Sequence, residues 1–199
     1  SAQIFKRLKL DFIKIPSGEI TNLPLLLELK KFKTPFIIST GMSKFSEVNK
    51  IKEKLKLKNK TIYLHCVSSY PSKPKDLNLK MIQILKRKLK SAVGLSDHSK
   101  GIEAAVASVA LGAEVIEKHI TLNTNLKGPD HSSSLDPIDF KKMVLSIRRV
   151  EEMIKFNGSL YVAYYTKSAQ EVVYRHNCRC YHRGCPVQAI SNASQLPPF

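Results

Sequence analysis

The chain has 199 residues, of which 43% are hydrophobic and 25% are charged. This composition is typical of a folded domain and excludes a fully disordered chain, and no apolar run approaches the ~18 residues that a transmembrane helix needs. Lys and Arg outnumber Asp and Glu by 33 to 16, which gives a formal net charge of +17. A charge of this size raises the question of nucleic-acid binding.

Short β-branched runs alternate along the chain with longer segments of helical period. Strand starts recur about every 25 residues, which indicates repeated βα units that form a parallel sheet covered by helices. The predicted strands are residues 12–15, 35–39, 61–66, 92–95 and 114–119, and the predicted helices are residues 23–32, 46–57, 78–89, 102–111 and 137–154.

Two α/β architectures fit such an array, an open doubly wound sheet and a (β/α)8 TIM barrel. Every predicted strand ends in polar residues, within segments 14–19, 39–41, 65–71, 96–98 and 117–119. In a barrel these ends converge on one mouth, whereas an open sheet concentrates its chemistry at one switch point. The distribution favours the barrel. A whole barrel takes about 250 residues, so five βα units predict a partial barrel over residues 1–154.

Residues 155–199 differ in composition from the rest of the chain. They are rich in Tyr, Arg and Cys, poor in Lys, and show no clear apolar period, which predicts an irregular C-terminal tail. Cys178, Cys180 and Cys185 lack the paired Cys-x2-Cys spacing of zinc sites, so we interpret them as incidental. Cys66 lies within an apolar strand and is predicted to be a buried free thiol.

The positive charge comes without a nucleic-acid-binding motif. Lysine far outnumbers arginine, and many lysines lie on predicted outer helix faces within residues 50–58 and 86–90. No aromatic RNA-binding pair, zinc finger or basic zipper accompanies them. We therefore expect a solvated lysine-rich surface with neither a nucleic-acid nor a membrane partner. The N-terminal residues lack the apolar core of a signal peptide, which predicts a cytoplasmic location.

Two histidines end neighbouring predicted strands. His98 follows one strand and His119 ends the next, with Glu117 on the same face as His119 because residues i and i+2 of a strand point the same way. Asp130 follows in a loop, next to another histidine. Two imidazoles with carboxylates and water suit Mn²⁺, Fe²⁺, Co²⁺ or Zn²⁺. The alternative is a pair of structural histidines held by hydrogen bonds.

A lysine and several small hydroxyl side chains follow the other strands. Lys14, Ser17, Ser39 and Ser96, with the glycines nearby, predict a cradle that donates hydrogen bonds to phosphate. The alternative is that these residues only turn the chain into the next helix. Spacing also leaves open a Schiff-base role for Lys14.

Six motifs in order resemble the N-acetylneuraminate (sialic acid) synthase family, including its legionaminic acid synthases. They are KIPSGEITN (14–22), ISTGM (38–42), HCVSSYP (65–71), GLSDH (94–98), IEKH (116–119) and GPDH (128–131). The resemblance covers roughly residues 1–154 and implies strands four to eight of a (β/α)8 barrel. The family's first three βα units and its C-terminal antifreeze-like domain are not recognisable here. Full-length relatives of this kind are expected to be homodimers.

The resemblance implies a metal-dependent transferase of carbohydrate biosynthesis for bacterial surface polysaccharide. Such an enzyme condenses phosphoenolpyruvate with N-acetylmannosamine or a 2,4-diacetamido sugar to a sialic-type acid, with release of phosphate. The implied metal is Mn²⁺, with Mg²⁺ or Co²⁺ as alternatives. The implied roles are metal binding by His98 and His119, contact with metal-bound water by Asp130 and Glu117, phosphate binding by Lys14, Ser17, Ser39 and Ser96, and contact with sugar or intermediate by Glu19 and Tyr70.

Other functions stay open at this point. The chain could be a non-catalytic remnant that binds metal or phosphate, a Schiff-base aldolase that uses Lys14, or a nucleic-acid binder. A five-stranded half-barrel exposes its sheet edges. We therefore expect poor solubility and little turnover from the isolated chain.

Overall fold

The structure is a computed structural model that describes residues 10–56, 61–128 and 130–155, together with the backbone of two strands farther along the chain, Tyr161–Tyr165 and Val172–His176. The chain divides into two compact units, Ser1–Ile154 and Lys155–Phe199. Within the described ranges, none of the helices combines the length and the hydrophobicity that crossing a membrane requires.

In the described part of the first unit, five strands alternate with five α-helices in the predicted order. The strands are β1 (Ile13–Ile15), β2 (Phe36–Ser39), β3 (Thr61–Cys66), β4 (Val93–Asp97) and β5 (Val115–Lys118). The helices are α1 (Leu23–Lys30), α2 (Phe45–Leu55), α3 (Met81–Leu89), α4 (Glu103–Ala110) and α5 (Pro137–Ile154). The element order is therefore confirmed, and the ends differ from the predicted ones by a few residues at most.

The five strands form one parallel sheet in the order β1-β2-β3-β4-β5. Ile15 pairs with Ile38 at one edge, and Ser96 pairs with Glu117 at the other. Each strand lies beside the next one in the chain, as in a barrel wall, whereas a doubly wound sheet reverses its order at the switch point. The partial barrel is thus confirmed.

One face of the sheet packs against the helices. The alternation of side chains along a strand places Ile15, Ile38 and Leu95 on that face, where they are buried in the main apolar cluster. Helix α3 supplies Ile82, Leu85 and Leu89, whose spacing of three and four residues forms the apolar stripe of an amphipathic helix. The other face of the sheet therefore carries the remaining strand residues, including the polar ones.

Two glycines are required by the local geometry. A Cβ atom added to Gly94 would lie 2.1 Å from the Val115 carbonyl oxygen, so only glycine lets β4 and β5 approach this closely. Gly112 adopts a φ of 94° two residues after the end of α4, a left-handed conformation in which glycine commonly ends a helix.

The second unit differs from its prediction. Instead of being irregular throughout, it contains an antiparallel pair, β6 (Tyr161–Tyr165) and β7 (Val172–His176), in which Tyr161 pairs with His176. Both segments are rich in Tyr and Val, which favour strands, but they lack the alternation of polar and apolar residues that marks a strand in a sequence. Cys178, Cys180 and Cys185 lie outside the described residues.

Candidate active site at the carboxyl ends of the strands

The polar residues predicted for the site lie on the sheet face that the helices leave open. Four residues predicted for the site, Lys14, Ser39, Ser96 and Glu117, come from four different strands and share this face, since each alternates with a residue of the helix-covered face. Most of them stand at or near the carboxyl end of their strand. The barrel topology therefore gathers the predicted residues in one region, as expected for a TIM-barrel active site.

One carboxylate joins two of the predicted phosphate-binding residues. Glu117 Oε1 accepts a hydrogen bond of 2.7 Å from Ser96 Oγ, and Glu117 Oε2 lies 3.3 Å from Lys14 Nζ. The side chains of Lys14 and Glu117 are 31% and 39% exposed, so solvent reaches this ion pair. The resemblance implies contact of Glu117 with metal-bound water, and the structure shows that Glu117 contacts two of the residues predicted to bind phosphate.

Ser39 lies at the end of β2 and is 3% exposed. Its hydroxyl has no hydrogen-bond partner among the described residues. A buried polar group without a partner costs about 1–3 kcal/mol, which favours a ligand that accepts its hydrogen bond. Ser39 therefore fits the predicted role in phosphate binding.

Ser17 and Glu19 lie in a short 3₁₀ helix after β1. Glu19 Oε2 accepts a 2.7 Å hydrogen bond from Asn22 Nδ2, and Asn22 Oδ1 in turn caps α1 by accepting from the Leu25 amide. No hydrogen bond among the described residues links Ser17 or Glu19 to the rest of the predicted site. Their roles in binding phosphate and sugar stay predictions.

His98 is held in a defined orientation. The residue is 5% exposed, and its Nδ1 atom lies 2.8 Å from the Val67 carbonyl oxygen. Since a carbonyl can only accept, Nδ1 carries the proton and Nε2 keeps its lone pair, with Ser96 Oγ 3.4 Å away. Burial lowers the pKa of His98, although the hydrogen bond to Val67 raises it in part. His98 is thus suited to be a neutral imidazole ligand.

The rings of His98, His119 and Tyr70 pack against one another. The centroids of His98 and His119 are 5.4 Å apart, and Tyr70 stacks on His98 at 4.0 Å and lies nearly perpendicular to the His119 ring at 5.7 Å. Partial burial raises the pKa of the Tyr70 phenol, and the nearby Cys66 and Asp130 raise it further. Asp130 Oδ2 lies 4.0 Å from His119 Nδ1. The predicted metal ligands are therefore neighbours.

The donor set fits a divalent metal that keeps several water or substrate ligands. Neutral imidazoles suit Mn²⁺, Co²⁺ and related ions, and carboxylates nearby can hold the water. In the described part of the chain, no cluster of three or more His, Cys, Asp or Glu side chains is arranged to hold an ion. His98 and His119 are accordingly the two candidate protein ligands, and Asp130 is the candidate for contact with a metal-bound water.

The sequence missed one pair of residues behind the site. Lys118 Nζ lies 2.9 Å from Asp97 Oδ2, and both side chains are 0% exposed. The signal was available, because both are charged residues at strand positions that face the helices, where apolar residues are usual. The prediction for Cys66 is confirmed, since it is a buried free cysteine whose pKa burial raises.

Comparisons with known proteins agree with this geometry. The NeuB family model matches residues 1–158. The N,N'-diacetyllegionaminic acid synthase of Campylobacter jejuni is 44% identical over 157 residues, which are 76% of this chain and 47% of that protein. The human N-acetylneuraminate-9-phosphate synthase is 36% identical over 77% of this chain and 44% of its own length. The chain thus spans about half the length of these relatives.

A solved structure shows the same fold. The crystal structure of the N-acetylneuraminic acid (sialic acid) synthetase from Leptospira borgpetersenii, in complex with citrate, superposes with a TM-score of 0.72 at 38% identity. The match covers 78% of this chain and 55% of that protein.

Proposed function

The chain belongs to the NeuB family, and on that premise we propose that it contributes the phosphate- and metal-binding part of a nonulosonic acid synthase active site. The reaction is the condensation of phosphoenolpyruvate with an open-chain N-acetylated hexose, either N-acetylmannosamine or a 2,4-diacetamido sugar, with release of phosphate. The observation that carries the proposal is the contact of Glu117 with both Lys14 and Ser96 on one sheet face. Along their strands, Ser96 stands two residues before His98, and Glu117 stands two residues before His119.

Phosphate binding rests on donors from neighbouring strands. The Lys14 ammonium supplies charge, and the hydroxyls of Ser96 and Ser39 supply hydrogen bonds. The unpartnered Ser39 hydroxyl supports this role, because a phosphate oxygen would satisfy it. Ser17 would add a hydroxyl from the turn after β1.

His98 Nε2 and the ring of His119 would hold the metal, and Asp130, whose carboxylate lies 4.0 Å from His119 Nδ1, would contact a metal-bound water together with Glu117. A divalent ion, Mn²⁺ first and Mg²⁺ or Co²⁺ as alternatives, supplies Lewis acidity that polarises the sugar aldehyde when it is bound. The low pKa of His98 supports this role, because a neutral imidazole can donate its lone pair.

The bond changes follow from this arrangement. The enol carbon of phosphoenolpyruvate attacks the aldehyde carbon and forms a C–C bond, while the π pair of the aldehyde C=O moves to its oxygen, which takes a proton from solvent and becomes a hydroxyl. The carbon that bears the phosphate ester is left as an oxocarbenium-like centre, which water then attacks. Glu117 would accept a proton from that water, and collapse of the tetrahedral intermediate forms the keto C=O, breaks the C–O bond to phosphate and releases phosphate. Tyr70 and Glu19 contact the sugar or the intermediate.

The test is phosphate release from phosphoenolpyruvate in the presence of Mn²⁺ and each candidate sugar. The 199-residue chain is measured alone and after fusion behind the N-terminal barrel strands of a legionaminic acid synthase. We expect sugar-dependent release from the fusion protein, abolished by chelation and by His98→Ala or His119→Ala. Release that persists without metal, or in both variants, would overturn the proposal.

The second candidate is a non-catalytic remnant that binds phosphate or metal without turnover. The shared face of Lys14, Ser39 and Ser96 supports phosphate binding by itself and does not require turnover. Calorimetry with Mn²⁺ and phosphoenolpyruvate separates the two, because a remnant would bind both while the fusion protein stayed inactive. The Schiff-base alternative is less well supported, since the contact with Glu117 engages Lys14 as a cation.

A further inference from the structure

A fully buried ion pair joins the two strands that carry the histidines. Asp97 and Lys118 are direct partners on β4 and β5, with 2.9 Å between Oδ2 and Nζ and no exposed side-chain surface. Acidic and basic side chains are almost never fully buried unless they are paired. A fully buried charged pair is therefore unusual, and its position relative to the candidate site indicates its role.

The pair lies directly behind the site residues. On β4, Asp97 stands between Ser96 and His98, and on β5, Lys118 stands between Glu117 and His119. Because successive side chains of a strand face opposite sides, the ion pair occupies the helix-covered face while its four neighbours in sequence share the open face. Any shift of one strand tip against the other would alter both the ion pair and the distance between the two histidines.

The same pair also fixes the loop that follows His98. Asp97 Oδ1 accepts hydrogen bonds from the Ser99 amide at 2.8 Å and from Ser99 Oγ at 2.6 Å, and Lys118 Nζ also donates to the Ser99 carbonyl. The Ser72 amide donates to the His98 carbonyl at 2.9 Å, which links the loop that carries Tyr70 to the same strand tip. Three neighbouring strand ends are thus held together behind the site.

A gain in folding stability is a weak explanation for a buried ion pair at this position. Removing two charges from water is costly, and well-packed apolar side chains in their place are often as stable or more stable. A buried ion pair that is also hydrogen-bonded to the backbone does, however, fix the relative position of two strands.

We propose that the Asp97–Lys118 ion pair is a positioning element that sets the spacing of His98 and His119 and thereby the metal affinity of the site. This inference rests on the proposed metal-dependent function. Groups that orient metal ligands typically change metal affinity 10- to 100-fold when they are removed.

The test removes both charges and keeps the buried volume. In the full chain, Asp97→Asn combined with Lys118→Met retains an acceptor for Ser99 and deletes the link between the strands. We expect retained secondary structure by circular dichroism, Mn²⁺ affinity at least tenfold weaker by calorimetry, and shifted ring signals of His98 and His119 in NMR spectra of the metal-free protein. A second variant, Asp97→Leu with Lys118→Met, tests the same loss in a fully apolar form.

A matched control exists at the other end of the sheet. Lys86 Nζ lies 2.9 Å from Glu114 Oε1 in a half-exposed ion pair, and Glu114 directly precedes β5. Lys86→Met with Glu114→Gln removes the same charges and should leave both readouts unchanged.

The outcomes separate this inference from the proposed function. Wild-type Mn²⁺ affinity together with unshifted histidine signals in the folded double variant would overturn the positioning role, and so would failure of both variants to fold, since the pair would then serve the fold itself. If the wild-type chain binds no Mn²⁺, the proposed metal site is wrong. In that case, only the NMR ring signals of His98 and His119, compared between the wild type and the double variant, decide whether the ion pair positions the rings.

Discussion

Glu117 Oε1 accepts a 2.7 Å hydrogen bond from Ser96 Oγ across the two adjacent strands β4 and β5. The other carboxylate oxygen of Glu117 lies 3.3 Å from Lys14 Nζ, so one anion engages two donors that we assign to phosphate. A carboxylate and a phosphate that share the same donors compete for them and repel each other. Substrate binding should therefore require Glu117 to give up at least part of these contacts.

Glu117→Gln should strengthen phosphoenolpyruvate binding and lower turnover. Without the competing charge, phosphoenolpyruvate should bind about 3–10-fold more tightly, which corresponds to roughly 1 kcal/mol for a partly exposed charge pair. Turnover of the fusion protein should fall about 100-fold, because the proton acceptor is lost. Calorimetry and phosphate release measure the two effects. Glu114→Gln, the same charge change at the other end of β5, is the control, and weaker phosphoenolpyruvate binding by Glu117→Gln would contradict the prediction.

Ser39→Ala should weaken binding while it preserves or raises stability. The buried Ser39 hydroxyl has no partner among the described residues, so its removal should raise the free energy of unfolding by about 1 kcal/mol. Phosphoenolpyruvate affinity should fall about tenfold, because a hydrogen bond to a charged group is lost. Urea unfolding and calorimetry measure the two quantities.

Thr61→Val provides the matched control for this serine. Thr61 Oγ1 is also buried without a partner in the described part of the chain, but Thr61 lies at the start of β3, away from the carboxyl ends of the strands. The valine variant should gain similar stability and keep its phosphoenolpyruvate affinity. Equal loss of affinity in both variants would show that Ser39 acts through the fold and not through the ligand.

The sequence predicted the sheet well for a specific physical reason. Parallel strands that are buried on both faces are continuous apolar and β-branched runs, such as the segment that forms β2. Among the helices, α5 has the predicted bounds, Pro137–Ile154. The pair β6 and β7 was missed because its Tyr- and Val-rich segments carry no period that separates two faces.

The site was predictable in its members but not in their contacts. The rule that strand ends converge, together with the alternation of side chains, identified Lys14, Ser96 and Glu117. Which donors the Glu117 carboxylate contacts depends on distances between strands, which no sequence pattern contains. The alternation of side chains also puts Asp97 and Lys118 on the helix-covered face, but no sequence pattern shows that the two are ion-pair partners.

The stability of the chain should fall on acidification, in part through His65. Burial lowers the pKa of His65 below its ordinary value of 6.5, and its Nε2 atom lies 2.7 Å from the Leu77 carbonyl oxygen. The unfolded state therefore binds more protons than the folded state as the pH drops below about 6.5, so this contribution is present above that pH and is lost as the pH falls through the lower folded-state pKa.

His65→Gln should flatten this dependence, since an amide can still donate to Leu77 but does not titrate. Urea unfolding of both proteins between about pH 5 and 8 measures the slope. His98, whose pKa burial also lowers, is present in both proteins, so the difference in slope belongs to His65. Identical slopes would contradict the prediction.

Tyr70 should act on the metal through its ring and on the substrate through its hydroxyl. The ring stacks on His98 at 4.0 Å, and the residue is 45% exposed, which leaves it open to the site. Tyr70→Phe should keep the Mn²⁺ affinity and lower turnover of the fusion protein, because only the hydroxyl is lost. Tyr70→Ala should also weaken Mn²⁺ binding about 3–10-fold, since a stacked pair contributes roughly 0.5–1.5 kcal/mol.

The control for Tyr70 is the same deletion at a tyrosine that faces the helices. Tyr63 is fully buried, and burial raises its pKa to about 12. Tyr63→Phe should leave both Mn²⁺ affinity and turnover unchanged, because the side chain lies on the opposite face of β3 from Cys66. Equal Mn²⁺ affinity in Tyr70→Ala and Tyr70→Phe would show that the stack does not orient His98. Unchanged turnover in Tyr70→Phe would remove the hydroxyl from the proposed contact with the substrate.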